Sequence, residues 1–118
     1  MKTFLIPSIN AGLNFLQQTV ADQYISCGIG SISRNSILLV AKDMWNMSLG
    51  SYPSYHESFP VEYCQSSEGM TRRFPILYSS EKWNSGGYYY LVESSQNRKF
   101  IRLHYHGIST QECFVPGV

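Results

Sequence analysis

Two histidines one residue apart, His104 and His106, are the sharpest chemical feature of this sequence. On an extended strand, residues two apart point to the same side. The two imidazoles would then share a face, with backbone positions about 7 Å apart. An H-x-H pair on a strand can hold two corners of a zinc or iron site. The third ligand would come from His56 or Glu57, which are adjacent in the chain. A metal centre needs converging donors, so the plainer reading is preferred: two polar histidines on the solvent face of an edge strand, with no metal and no cofactor.

The same segment alternates. Phe100, Arg102, His104 and His106 fall on one face, and Ile101, Leu103 and Tyr105 on the other. The second set reads as core. The first is a polar stripe with the groups that phosphodiester chemistry uses: an imidazole or carboxylate to move protons, and a guanidinium to offset phosphate charge. In this it loosely resembles the small ribonucleases and toxins built from a helix packed on an antiparallel sheet. The likeness is one of architecture and no motif carries it. It makes His104, His106 and Arg102 the catalytic candidates, with His56 and Glu57 as helpers.

Arg72-Arg73 and Arg98-Lys99 are the only basic doublets. If they met in space with Arg102 they would form a phosphate-binding patch, but two doublets beside turns fall short of a nucleic-acid footprint. The net charge of +1 supplies no field that would steer phosphates from a distance. Tyrosine is the compositional oddity, nine in 118 residues. Tyr88 and Tyr90 on one strand, with Tyr52, Tyr55, Phe59 and Tyr63 upstream and Phe15 near the start, could make an aromatic contact surface, because tyrosine gives large area at low entropic cost. The plainer alternative is that these rings fill a small core.

The elements that must position these groups follow from pattern. Thr3 to Ile6 reads as a short strand stopped by Pro7. Ile9, Leu13, Leu16, Val20 and Tyr24 recur at helical spacing, so a helix is expected to about Gln23. Tyr24 to Ile32 suggests a strand and Ser33-Arg34-Asn35 a turn. Ile37 to Ala41 is a continuous apolar run that suits a central strand. Residues 46 to 71, rich in Gly, Pro, Ser and Tyr, read as a long ordered loop with only a hint of strand from Phe59 to Cys64. Strands are then expected at Phe74 to Ser79, Tyr88 to Glu93, Lys99 to His106 and Ile108 to Val115, with turns between them. The expectation is one α+β domain over 1–118: an N-terminal amphipathic helix packed on a mainly antiparallel sheet of five to seven strands.

Cys27, Cys64 and Cys113 are odd in number and far apart. They read as reduced thiols in a reducing compartment, which places the protein in the cytoplasm; one bridge with one free thiol is the alternative. The polar residues between Pro7 and Gln18 argue against a signal peptide. No apolar segment is long enough to span a membrane. Gly28-Ile29-Gly30 lacks the third glycine of a dinucleotide site. The reading that follows is a non-enzymatic protein-binding module, of the kind phage and mobile elements use to inhibit host machinery. A small ribonuclease using the histidine face is the alternative, and a metal-dependent enzyme on the H-x-H pair the second.

Overall fold

The computed structural model describes residues 22–79 and 81–118. The strand expected from Thr3, the helix expected from Ile9 as far as residue 21 and the contact residue Phe15 lie outside them; Asp22 and Gln23, where that helix was expected to end, are not helical.

The described chain opens with a hairpin, β1 (Tyr24–Cys27) against β2 (Gly30–Ser33), which runs straight into α1 (Arg34–Met44). The helix is internal, and it contains the Ile37 to Ala41 run expected as a central strand. The cause is local. Ser33 is an N-cap, its hydroxyl accepting from Ser36 N at 3.3 Å, so the expected turn is the helix start. Asp22 bonds the Ser33 hydroxyl and accepts from Asn35 N at 3.2 Å. From there Ile37, Ala41 and Met44, at helical spacing, are the buried stripe, while Leu39 is left exposed. Five apolar residues in a row do not distinguish strand from helix; the cap and the length of the element do.

After α1, residues expected as one long loop carry strands: the two-residue pair β3 (Tyr52–Pro53) and β4 (Ser58–Phe59), then β5 (Val61–Ser66) and the start of β6 (Gly69–Ile76). The last third is the expected meander, with β7 (Tyr90–Ser95), β8 (Ile101–His106) and β9 (Thr110–Phe114). These make one five-stranded antiparallel sheet in the order β5-β6-β7-β8-β9. Its register sorts the side chains. Phe74, Ile76, Tyr90, Val92, Ile101, Leu103, Tyr105 and Cys113 are buried, and α1 packs over β6 and β7. Trp45, at the end of α1, donates from Nε1 to Ser94 O at 3.1 Å. On the other side, Arg73, Glu93 and Arg102 form one row across β6, β7 and β8, and His104 stands opposite Glu112.

Cys27 and Cys113 form a disulfide, and Cys64 is the free cysteine. This corrects the expectation of three reduced thiols: both cysteines sit at inward positions of strands that meet, β1 beside β9. The argument for a cytoplasmic site loses its premise. No helix among the described residues is long and apolar enough to cross a membrane.

The hairpin is seated on the sheet by a close approach. Gly28, at φ +63°, donates its N–H to Gln111 Oε1 at 2.9 Å. A Cβ there would come within 2.5 Å of three Tyr105 ring carbons. Tyr90 reaches the same turn, its hydroxyl donating to Cys27 O at 2.8 Å. Gly28→Ala is therefore expected to cost about 1–3 kcal/mol in urea unfolding, through overpacking and an unfavourable φ. Gly86→Ala, also at positive φ but with open space around it, should cost clearly less. Equal losses from the two would show that the Tyr105 contact is unimportant.

Candidate functional site

The helix-free face of the sheet carries the polar groups, and β5 wraps its edge. The β5–β6 register slips by one residue between Glu62 and Gln65. Such a bulge sets two residues against one on the partner strand and re-aims them. Here it brings both Tyr63 and Cys64 toward β7 and β8. The Tyr63 ring stands edge-on to His104 at 5.5 Å between centroids, and Cys64 Sγ lies 3.4 Å from Glu93 Oε2.

Glu93 is the centre of this arrangement and is 1% exposed. One carboxylate oxygen pairs with His104 Nε2 at 2.7 Å; the other accepts from Thr71 Oγ1 at 2.7 Å and from the Cys64 thiol. Burial alone would push its carboxyl up. The hydrogen bonds from His104 and Thr71, the charge of His104 and the Cys64 contact outweigh that and hold it below its ordinary value. Cys64 is pushed up, first by burial and then by the neighbouring carboxylates, with the Thr71 hydroxyl opposing. A raised thiol is a poor nucleophile.

Around this pair lies an open hollow of about 430 Å³, lined by Tyr63, Arg73, His104, His106 and β9 residues Thr110 to Glu112. The Arg73 guanidinium lies over the Tyr63 ring, 4.0 Å from its centroid. Its Nη2 is 4.0 Å from Glu57 Oε2, and its Nε is buried with no hydrogen-bond partner among the described residues. His106 is exposed, its ring 6.3 Å from that of His104. Partial burial, then the charges of Arg73 and His104, lower its pKa from the ordinary imidazole value. A second hollow of about 540 Å³ adjoins on the far side of His106, walled by Tyr55, His56, Tyr88 and the Gly86-Gly87 backbone.

Of the residues singled out in the sequence, the structure brings His104, His106, Tyr63 and Arg73 together, with Glu57 beside Arg73 and with His56, Tyr55 and Tyr88 next door. Arg102 is on the same face, but its guanidinium packs over Phe100 and Phe114, at 4.4 and 5.2 Å from their centroids. The pleat sends Arg72 to the helix side, where it lies over Trp45 and donates to Met47 O. Arg98 and Lys99 sit in the β7–β8 turn. The five cations therefore do not form one patch. The expected aromatic surface is also split. Phe59 and Tyr90 are buried, and Tyr52 and Tyr88 join Phe59, Phe74 and Trp83 in a cluster of edge-to-face and tilted rings. Tyr55, 95% exposed, and Tyr63 remain on the surface.

The H-x-H pair is not a chelate, since His104 turns to a carboxylate and His106 to solvent. The partner of His104 is Glu93, not His56 or Glu57. Sequence reasoning missed Glu93, Glu112, Thr71 and Cys64. One signal was present: Glu93 is a lone acid within an otherwise uncharged strand, and the following hairpin returns His104 to the same face. No protein-family model, no curated protein and no solved structure matches this chain.

Proposed function

We propose that this is a non-enzymatic binding protein whose recognition surface is the sheet face around Arg73, Tyr63 and His106, and that its ligand is a phosphodiester of single-stranded nucleic acid. The observation that carries the reading is the state of Arg73. Its guanidinium is braced on the Tyr63 ring at the wall of the hollow, and its contact with an acid is a marginal one, 4.0 Å to Glu57. Guanidinium suits phosphate, to which it can donate in a bidentate way. Tyr55, almost fully exposed beside His106, offers a free ring, and base stacking on such a ring is tolerant of sequence.

The same geometry favours binding over cleavage. Transfer to an internal hydroxyl needs one group to take a proton and another to give one. His104 is 6% exposed with Nε2 committed to Glu93, and both Glu93 oxygens are occupied. His106 is the imidazole of this pair left open to the hollow.

Fluorescence anisotropy with labelled single-stranded RNA and DNA oligonucleotides at low salt tests this. Binding by the native protein should weaken about tenfold or more in Arg73→Ala, as expected for a lost charge-assisted hydrogen bond. Arg98→Ala should leave it unchanged. No binding, or equal binding by Arg73→Ala, overturns the reading. Cleavage of the RNA that disappears in His106→Ala would replace it with the ribonuclease alternative.

A protein partner is the second reading. It rests on Tyr55 and on Ile108, which is fully exposed two residues beyond His106. As to location, a disulfide persists where the surroundings are oxidising. The Cys27–Cys113 bond therefore supports an oxidising compartment over the cytoplasm.

A further inference from the structure

We infer that Glu93, His104 and Glu112 form a binding site for a divalent transition-metal ion of the zinc class. The three residues come from successive strands, β7, β8 and β9. His104 stands directly across from Glu112, and Glu93 lies one diagonal step away on the same face. Each offers a ligand atom, and the three atoms lie within 4.8 Å of one another. Donors bound at about 2.0–2.2 Å in a tetrahedral zinc site stand about 3.3–3.6 Å apart. Closing the set therefore needs its widest pair to approach by about 1 Å, a movement that the exposed Glu112 side chain can make.

Electrostatics point the same way. Two carboxylates converge on one imidazole. The guanidiniums in their row of the sheet are turned elsewhere, Arg73 onto Tyr63 and toward Glu57, and Arg102 onto two phenylalanines. A dication at the imidazole would balance the pair. Entry of the ion breaks the 2.7 Å bond between His104 Nε2 and Glu93 Oε1 and releases the proton they share, putting two metal–ligand bonds in its place.

The support for the ligands is already built. Glu93 is held from behind by Thr71 and Cys64, and outer hydrogen bonds of this kind fix ligand orientation. An imidazole with two carboxylates suits zinc or cobalt. Calcium and magnesium prefer all-oxygen shells of six or more ligands. The inference shares the hollow with the proposed ligand surface but does not depend on it.

Isothermal titration of the untagged full chain, with its disulfide intact, tests it using ZnCl₂, CaCl₂ and MgCl₂ in turn. The expected result is one equivalent of Zn²⁺ and no heat of binding from the other two. Glu112→Gln, a surface change that leaves the Glu93–His104 pair in place, should weaken Zn²⁺ at least about tenfold. His56→Ala should change nothing. A cobalt-substituted sample should show visible absorption bands that Glu112→Gln abolishes. Failure to take up an equivalent of Zn²⁺ at about 1 mM overturns the site, since donors fixed on adjacent strands should bind well below that. So do unchanged affinity in Glu112→Gln and loss of binding in His56→Ala.

Discussion

Replacing Cys27 and Cys113 together by serine is expected to lower the free energy of unfolding by about 4–5 kcal/mol. The bond joins residues 86 apart in the chain. Closing a loop of that length removes roughly this much entropy from the unfolded ensemble. The position of the bond adds to the effect. The β1–β2 hairpin is a sheet of its own and shares no strand ladder with β5–β9. It is tied to them by the disulfide, by the Tyr90 hydroxyl on Cys27 O and by Gly28 N on Gln111. Freed from the bond, the hairpin would pull at α1, which follows it with no intervening loop. Denaturant unfolding of the double variant and of the native protein, each with and without dithiothreitol, measures this. Reduction should bring the native protein down to the level of the variant and leave the variant where it was. A difference below about 1 kcal/mol would mean that packing alone holds the hairpin.

That bond was the least legible part of the fold. Cysteines at 27, 64 and 113 allow any pairing, and no local pattern records which strands will be neighbours. The alternating segments of the last third were legible because each carries its own period-two signal and its own turn. The strands β7 to β9 were read nearly in place, and the alternation of β8 gave its core face correctly as Ile101, Leu103 and Tyr105. Ile37 to Ala41 misled because a short apolar run is compatible with both periods; the deciding information lay in Ser33, which looks like a turn residue until its hydroxyl is seen to cap a helix. Residues 46 to 71 misled through composition. Proline and glycine there mark the ends of short strands, and Tyr52 and Phe59 between them pack in the core while Tyr55 and Tyr63 stay on the surface.

The candidate site was half legible. His104 and His106 do share one face of β8, as period two implies, but β8 lies between β7 and β9 and is not the edge strand expected. What period two could not supply is depth. His104 is buried because Tyr63 and Arg73 close over it from β5 and β6, and β5 reaches it through a bulge that no residue type announces. The same folding-over gives Glu93 its three partners, so the buried acid reads as an anomaly in the chain and as a centre in three dimensions.

Trp83→Ala is the second change with a large expected effect, about 3–5 kcal/mol, the usual cost of truncating a buried aromatic. Trp83 lies in the stretch between β6 and β7 that has no strand or helix of its own, yet it is 1% exposed. Its ring meets Phe59, Phe74 and Tyr88 edge-to-face at 5.5–5.9 Å, contacts worth about 0.5–1.5 kcal/mol each beyond the area they bury. Its indole donates to Gly86 O at 3.1 Å, which ties the Gly86-Gly87-Tyr88 wall of the second hollow to the core. Truncation should thus loosen the wall beside His106 as well as lower stability. Trp83→Phe keeps a ring but drops the donor, so it should recover part of the stability while leaving the Gly86 carbonyl unpaired. Tyr55→Ala, on the opposite wall and almost fully exposed, should leave stability within about 0.5 kcal/mol of native. Denaturant unfolding of the three variants, with the backbone NMR shifts of Gly86 to Tyr88, decides the matter: those shifts should move in both Trp83 variants and stay native in Tyr55→Ala. If Trp83→Ala unfolds at the native midpoint, or if those shifts are unchanged in it, the indole is not what holds the wall in place.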